Sequence, residues 1–300
     1  MRRSRLNPAT LVAAAAALAL LAGCTSTNAT ASSESQLAKA ASAPTTTTTL
    51  AVVPPATVNG LHVTPMFPPA GTFAVPTTWL RVVRPDGATH LVAVYRPAAP
   101  GPHPVVVYLH GSSGLNEPEL AWAHGLAQRG YIVVAGCYLD ADPGVYKPTP
   151  HYWIACPGLP QGEPAHPAWA RPAYEALLDV ASALPDAQPG GVGVVGVSHG
   201  AITALSVNDP RVRVIVADSG YGKAGVDPVT VPVLMLGMTS DPNVMHSRVL
   251  GFEWMLRAAG KTVMSQYYRG NGHVATIAAP PMAAGDATNR AEAWLRATLG

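Results

Sequence analysis

The sequence predicts an α/β domain: a mostly parallel central sheet with an antiparallel N-terminal hairpin and helices on both faces. Two observations carry this expectation. Short, continuous apolar runs rich in β-branched residues, Val105 to Leu109, Tyr131 to Ala135 and Val192 to Val197, have the length and composition of strands buried on both faces. Between them lie stretches of helical length and pattern, about Leu120 to Gln128 and Pro172 to Leu184, so strand and helix alternate along the chain.

The elements follow in order. Trp79 to Val83 and Leu91 to Tyr95 flank the turn signal Pro85-Asp86-Gly87 and read as a hairpin. The first buried strand, Val105 to Leu109, is followed by the helix near Leu120 to Gln128, which Gly130 can end in the left-handed conformation. After Val192 to Val197 a helix starts near Ser198. Then come the strands Val212 to Val216 and Val231 to Leu236, a helix at about Val249 to Ala259, the strand Thr262 to Tyr267 and a last helix from about Thr288 to Thr298. Residues 138–171 break the alternation: they carry seven prolines and the aromatics Tyr138, Tyr146, Tyr152, Trp153 and Trp169 without periodicity. A long excursion of this kind at a strand end reads as a lid-like insertion, and its aromatics are expected to line a pocket.

The N-terminus reads differently. Arg2, Arg3 and Arg5 precede an apolar run from Leu11 to Ala22, the pattern of a signal peptide over residues 1–23, too short to span a bilayer as a mature helix. Leu21-Ala22-Gly23-Cys24 resembles the bacterial lipobox. That resemblance implies a diacylglycerol on the Cys24 thiol, cleavage before it, and anchoring to the outer face of the bacterial cell membrane; an ordinary signal peptide cleaved near Gly23 is the alternative. Residues 24–60, rich in Ala, Ser and Thr and including Thr45 to Thr49, read as a flexible tether, and residues 61–300 as the folded domain. The formal charge of +2 becomes −1 once the three signal arginines are removed. With 12% charged residues and no basic cluster left, a nucleic-acid partner is not indicated, and membrane contact rests on the lipid alone. Of the three cysteines, lipidation of Cys24 leaves Cys137 and Cys156, which in an oxidising compartment are expected to form a disulfide; two unpaired buried thiols are the other possibility.

The chemistry-bearing residues fall at predicted strand ends. Gly196-Val197-Ser198-His199-Gly200 matches G-x-S-x-G with a buried strand before it and a helical pattern after it, so Ser198 sits on a strand-to-helix turn that presents its hydroxyl at a helix N-terminus. A serine is a poor nucleophile unless a histidine accepts its proton and an acid orients that histidine. Asp241 follows the strand ending at Leu236, and His273 follows the last strand in Arg269-Gly270-Asn271-Gly272-His273, giving the chain order Ser, Asp, His. Asp241 also reads as a turn or N-cap residue, and Asp218, one strand earlier, is the rival acid. The loop His110-Gly111-Ser112-Ser113-Gly114 supplies backbone donors: Ser112 N–H and His199 N–H are the expected oxyanion hole. His110 is expected to hold the loop, and the His199 side chain to point away from Ser198.

These four motifs together resemble the α/β-hydrolase superfamily over about residues 75–300, and the N-terminal hairpin and modest insertions are similar to its dienelactone hydrolase-like and secreted polyester-hydrolase-like branches. Dienelactone hydrolases carry cysteine at the elbow; Ser198 here shifts the expectation toward ordinary carboxylic esters, cleaved through an acyl-enzyme intermediate. The expected partner is a small-molecule ester, and the chemistry implies no cofactor and no metal. An acyltransferase or thioesterase would use the same triad. A non-catalytic surface lipoprotein acting as a binding module would keep the fold, but the complete set of serine, acid, histidine and glycine loop argues against it.

Overall fold

A computed structural model describes residues 56–68, 77–139, 156 and 167–300. Its strands are β1 (Ala56–Val58), β2 (Leu61–Met66), β3 (Thr78–Val83), β4 (Thr89–Tyr95), β5 (His103–Leu109), β6 (Ile132–Gly136), β7 (Ala187–Val197), β8 (Val212–Asp218), β9 (Val233–Ser240) and β10 (Val263–Asn271). They form one sheet in the order β1-β2-β3-β4-β6-β5-β7-β8-β9-β10. The pairs β1–β2, β2–β3, β3–β4 and β4–β6 are antiparallel. From β6 through β5, β7, β8 and β9 to β10 every pair is parallel. The helices are α1 (Glu117–Gln128), α2 (Arg171–Ser182), α3 (His199–Ser206), α4 (His246–Ala258), α5 (Ala275–Ala278) and α6 (Pro281–Leu299). Among the described residues no helix is long and apolar enough to cross a membrane.

The period of two along the central strands explains the layering. Val105, Val107, Leu109, Ile132, Val134, Val192 and Val194 face a core shared with Tyr174, Leu177 and Leu178 of α2 and with Phe252 and Leu256 of α4. Val106, Tyr108, Val133, Val195, Val214 and Val216 face the opposite core, with Leu120 and Leu126 of α1 and Ala287, Ala291 and Leu295 of α6. Because both faces are buried, these strands need apolar residues at every position, which is why they read as continuous runs.

Three boundaries differ from the sequence expectation. The sheet begins inside the stretch read as tether, since β1 occupies Ala56–Val58 and pairs with β2; Leu61 and Val63 of β2 are buried and alternate with exposed His62 and Thr64, a pattern too short to stand out beside the prolines around it. Helix α1 starts three residues early because the Asn116 side chain caps it, accepting the Glu119 amide at 3.1 Å, with Pro118 in the first turn. Helix α6 starts at Pro281 rather than near Thr288; it absorbs Gly285, an unfavourable helix residue, because Ala287, Ala291 and Leu295 form a buried stripe at fourfold spacing.

Cys137 follows β6 and is bonded to Cys156, 19 residues further on, with Cα atoms 5.2 Å apart. The ring it closes restricts the unfolded chain and contributes about 3 kcal/mol. Cys24, the signal and most of the tether, together with Tyr146, Tyr152 and Trp153, lie outside the described residues.

Candidate active site

The carboxyl ends of β5, β7, β8, β9 and β10 all carry a residue singled out above, as expected where an open parallel sheet forms its crevice. Ser198 lies between β7 and α3 with φ 52° and ψ −114°, a conformation that side chains rarely adopt. The flanking glycines allow it: a methyl on Gly200 would lie 2.0 Å from the Leu109 carbonyl oxygen, and one on Gly196 2.4 Å from that of Gly200. The turn therefore wedges against the end of β5. The Ser198 amide donates to the Asp218 carbonyl oxygen at 2.8 Å, and His199 opens α3, so its amide is among those a helix N-terminus leaves without an intrahelical acceptor.

His273 and Asp241 meet. His273 Nδ1 lies 2.8 Å from Asp241 Oδ2 and 3.0 Å from Oδ1, with the aspartate side chain almost fully covered and the imidazole one-fifth exposed. Asp241 Oδ1 also accepts the amides of Asn243 at 2.8 Å and Val244 at 2.9 Å. Asp241 is thus a turn residue whose carboxylate, held by the turn, also lies against the His273 imidazole.

Asp218, the rival acid, has different partners. Fully buried, its carboxylate accepts from Ser219 Oγ at 3.1 Å, the Ala275 amide at 2.9 Å, and the Thr276 amide and hydroxyl at 2.8 Å each. Burial pushes its carboxyl up from the usual range, and these four donors pull it back. Ser219 Oγ in turn accepts the Val274 amide at 3.0 Å. The segment that carries His273 is therefore clasped to the end of β8, at the residue whose carbonyl holds Ser198. Ser198, Ser219 and Val274 all have positive φ, of 52°, 56° and 70°. Three such residues joined through one aspartate is the concentration of backbone strain that marks functional sites.

Beyond the end of β5, Gly111 packs against the elbow: a methyl placed on it would lie 3.5 Å from Ser198 Cβ, 3.6 Å from Glu119 Oε1 and 3.9 Å from Ser113 Oγ. The Ser112 loop therefore stands beside Ser198. A cavity of about 310 Å³ opens between Ser113, Asn116 and Glu119 on one wall and His273, Val274 and Ile277 on the other. Tyr138, expected to line a pocket, is instead fully buried and donates from its hydroxyl to the His110 carbonyl at 2.9 Å. The His199 ring is buried and packs 5.8 Å from Trp169, near the end of the insertion.

His110 is fully buried with Nδ1 2.6 Å from the Gly111 carbonyl oxygen, so this nitrogen carries the proton and donates. Burial pushes the imidazole down to about 4, against the opposing pull of that hydrogen bond. Lowered in the folded state, His110 contributes stability that is present above about 6.5 and lost as pH falls toward about 4, worth about 3 kcal/mol in full. We expect the stability difference between the wild type and His110→Asn, which keeps a donor, to shrink by that amount between these two pH values. Denaturant titrations across the range check this, and a constant difference contradicts it.

The fold and these strand-end residues define the class: an α/β-hydrolase. The chain belongs to the dienelactone hydrolase family, whose model matches residues 91–299, and it is a hydrolase of that type. No curated protein matches it in sequence. Among solved structures it is similar to a putative dienelactone hydrolase from Klebsiella pneumoniae subsp. pneumoniae (20% identity, TM-score 0.55, covering 79% of this chain and 99% of that one). It is also similar to a dienelactone hydrolase-like promiscuous phosphotriesterase from metagenomic libraries (19% identity, TM-score 0.58, 75% and 100% covered). A cold-adapted esterase from an Arctic intertidal metagenomic library matches at 20% identity and TM-score 0.52, with 83% and 98% covered. At these identities the likenesses concern the fold.

Proposed function

We propose that this chain hydrolyses carboxylic esters with Ser198 as nucleophile. His273 takes the Ser198 proton, Asp241 holds the imidazole in the tautomer that can accept it, and the hydroxyl oxygen attacks the ester carbonyl. The backbone N–H groups of Ser112 and His199 donate to the oxyanion. His273 then passes the proton to the leaving alcohol and deprotonates the water that releases the acid from Ser198. The observation that supports this most is the His273–Asp241 pair on a segment clasped to the same β8 end that holds the strained Ser198 turn. An elbow serine in place of the family's cysteine favours ordinary esters over activated lactones. We propose further that the chain is exported and held by a lipid on Cys24, supported by the N-terminal sequence alone.

A fluorophosphonate probe and a graded series of p-nitrophenyl esters test the reading. The expected result is one label per chain on the peptide containing Ser198, with turnover of at least the short esters. Labelling without turnover would favour an acyl acceptor other than water, as in an acyltransferase, and no labelling would overturn the serine mechanism.

A further inference from the structure

Glu119 is a carboxyl the proposed mechanism does not use, yet it borders the same site. It lies in the first turn of α1 and is 4% exposed. Its Oε1 accepts the Gly111 amide at 3.3 Å, and its Oε2 has no hydrogen-bond partner among the described residues. A methyl placed on Gly111 would lie 3.6 Å from Glu119 Oε1 and 3.5 Å from Ser198 Cβ, and Glu119 and His273 line the same cavity.

We propose that Glu119 is a positioning residue for the Ser198 site: an uncharged carboxyl that anchors the oxyanion loop through the Gly111 amide, and whose ionisation slows the reaction. This rests on the esterase reading above. A neutral carboxyl in this place does two things. Its carbonyl oxygen fixes Gly111, and so the register of the Ser112 amide that follows, while its proton stays on Oε2. Losing that proton puts a full negative charge beside the place where the ester oxygen becomes negative. With the effective dielectric of a protein site, a full charge this near the reacting oxygen lowers the rate on the order of 10- to 100-fold.

The surroundings favour the neutral form. Burial pushes the Glu119 carboxyl up to about 8, outweighing the Gly111 amide and the Asn116 side chain that pull it down. The titratable groups around it are Tyr108 of β5, itself raised by burial and by the charges of Glu119 and Asp218, then buried His110 beyond the strand end, and His273 across the cavity. On its own helix Glu117 precedes it and His124 stacks on Tyr95 of β4, which also carries buried His90; β6 and α5, packed against α1, carry no titratable side chain.

The test compares the wild type with Glu119→Gln, which keeps an oxygen for Gly111 but cannot ionise, and with Glu119→Ala, which lacks both. In wild-type protein kcat/KM for p-nitrophenyl acetate is expected to fall about tenfold between pH 7.5 and 9.5. Glu119→Gln should keep near-wild-type turnover at pH 7 and lose that fall, whereas Glu119→Ala should be about tenfold slower throughout, chiefly in kcat. An alkaline fall that survives in Glu119→Gln overturns the proposal. The melting temperature gives a readout independent of turnover: a carboxyl raised in the folded state stabilises fully below about 4.5 and loses its contribution as pH rises to about 8, so the wild type should weaken relative to Glu119→Gln across that interval. A pH-independent difference overturns the neutral carboxyl even if the protein hydrolyses no ester. Wild-type protein that is neither labelled nor active refutes the esterase reading instead, and the role of Glu119 in it.

Discussion

Replacing Ser198 by alanine is expected to lower turnover of p-nitrophenyl esters by about 10⁴- to 10⁶-fold while the protein stays folded. The size of the loss follows from the proposed chemistry: without the hydroxyl no acyl-enzyme forms, and what survives is the polarisation of the ester by the Ser112 and His199 amides. The fold should tolerate the change because the interactions that build the turn are made by the backbone. The Ser198 amide keeps its bond to Asp218, the Ser198 carbonyl keeps the amide of Ile202, and the glycines at 196 and 200 keep the clearance. Parallel measurement of kcat and of the thermal midpoint separates the two effects. A variant that retains a tenth of the activity would mean that another nucleophile operates.

Asp218→Ala is expected to destabilise the protein by about 3–5 kcal/mol, since it strands four buried donors that one carboxylate now satisfies. For a domain of this size that is a fall in melting temperature of roughly 10 °C. Activity should fall with it, because the freed segment carries His273. Asp241→Asn should behave in the opposite way, with a nearly unchanged melting temperature and kcat down about 10⁴-fold, since the amide supports the wrong imidazole tautomer. Calorimetry and kinetics on the pair decide between the two aspartates. Should Asp218→Asn lose activity without losing stability while Asp241→Asn keeps full activity, their roles are exchanged.

How far the sequence spoke for itself differs between frame and site. The central strands were legible because burial on both faces demands unbroken apolar runs, and the strand-end positions of Ser198, Asp241 and His273 because each follows a stretch that reads as a strand. What escaped depends on contacts that no local pattern encodes. Glu119 reads as one more acidic residue in a helix's first turn; only the packing of α1 against the end of β5 makes it a buried carboxyl beside Ser198. Asp218 was visible as a strand-end acid, yet its donors come from Ala275 and Thr276, 57 and 58 residues away. Tyr138 looked like a pocket aromatic because it opens the proline-rich insertion, but its hydroxyl is aimed inward at His110.

In the mechanism proposed, the clasp between β8 and the His273 segment also separates two controls over the imidazole. The height of the imidazole above the sheet is set by Asp218 and Ser219, whereas its rotation about that perch is set by Asp241 on a neighbouring strand's turn. If His273 is the base, drift in the turn at 241–244 would detune proton transfer without unseating it, so rate and foldedness would be free to vary along different lineages of change.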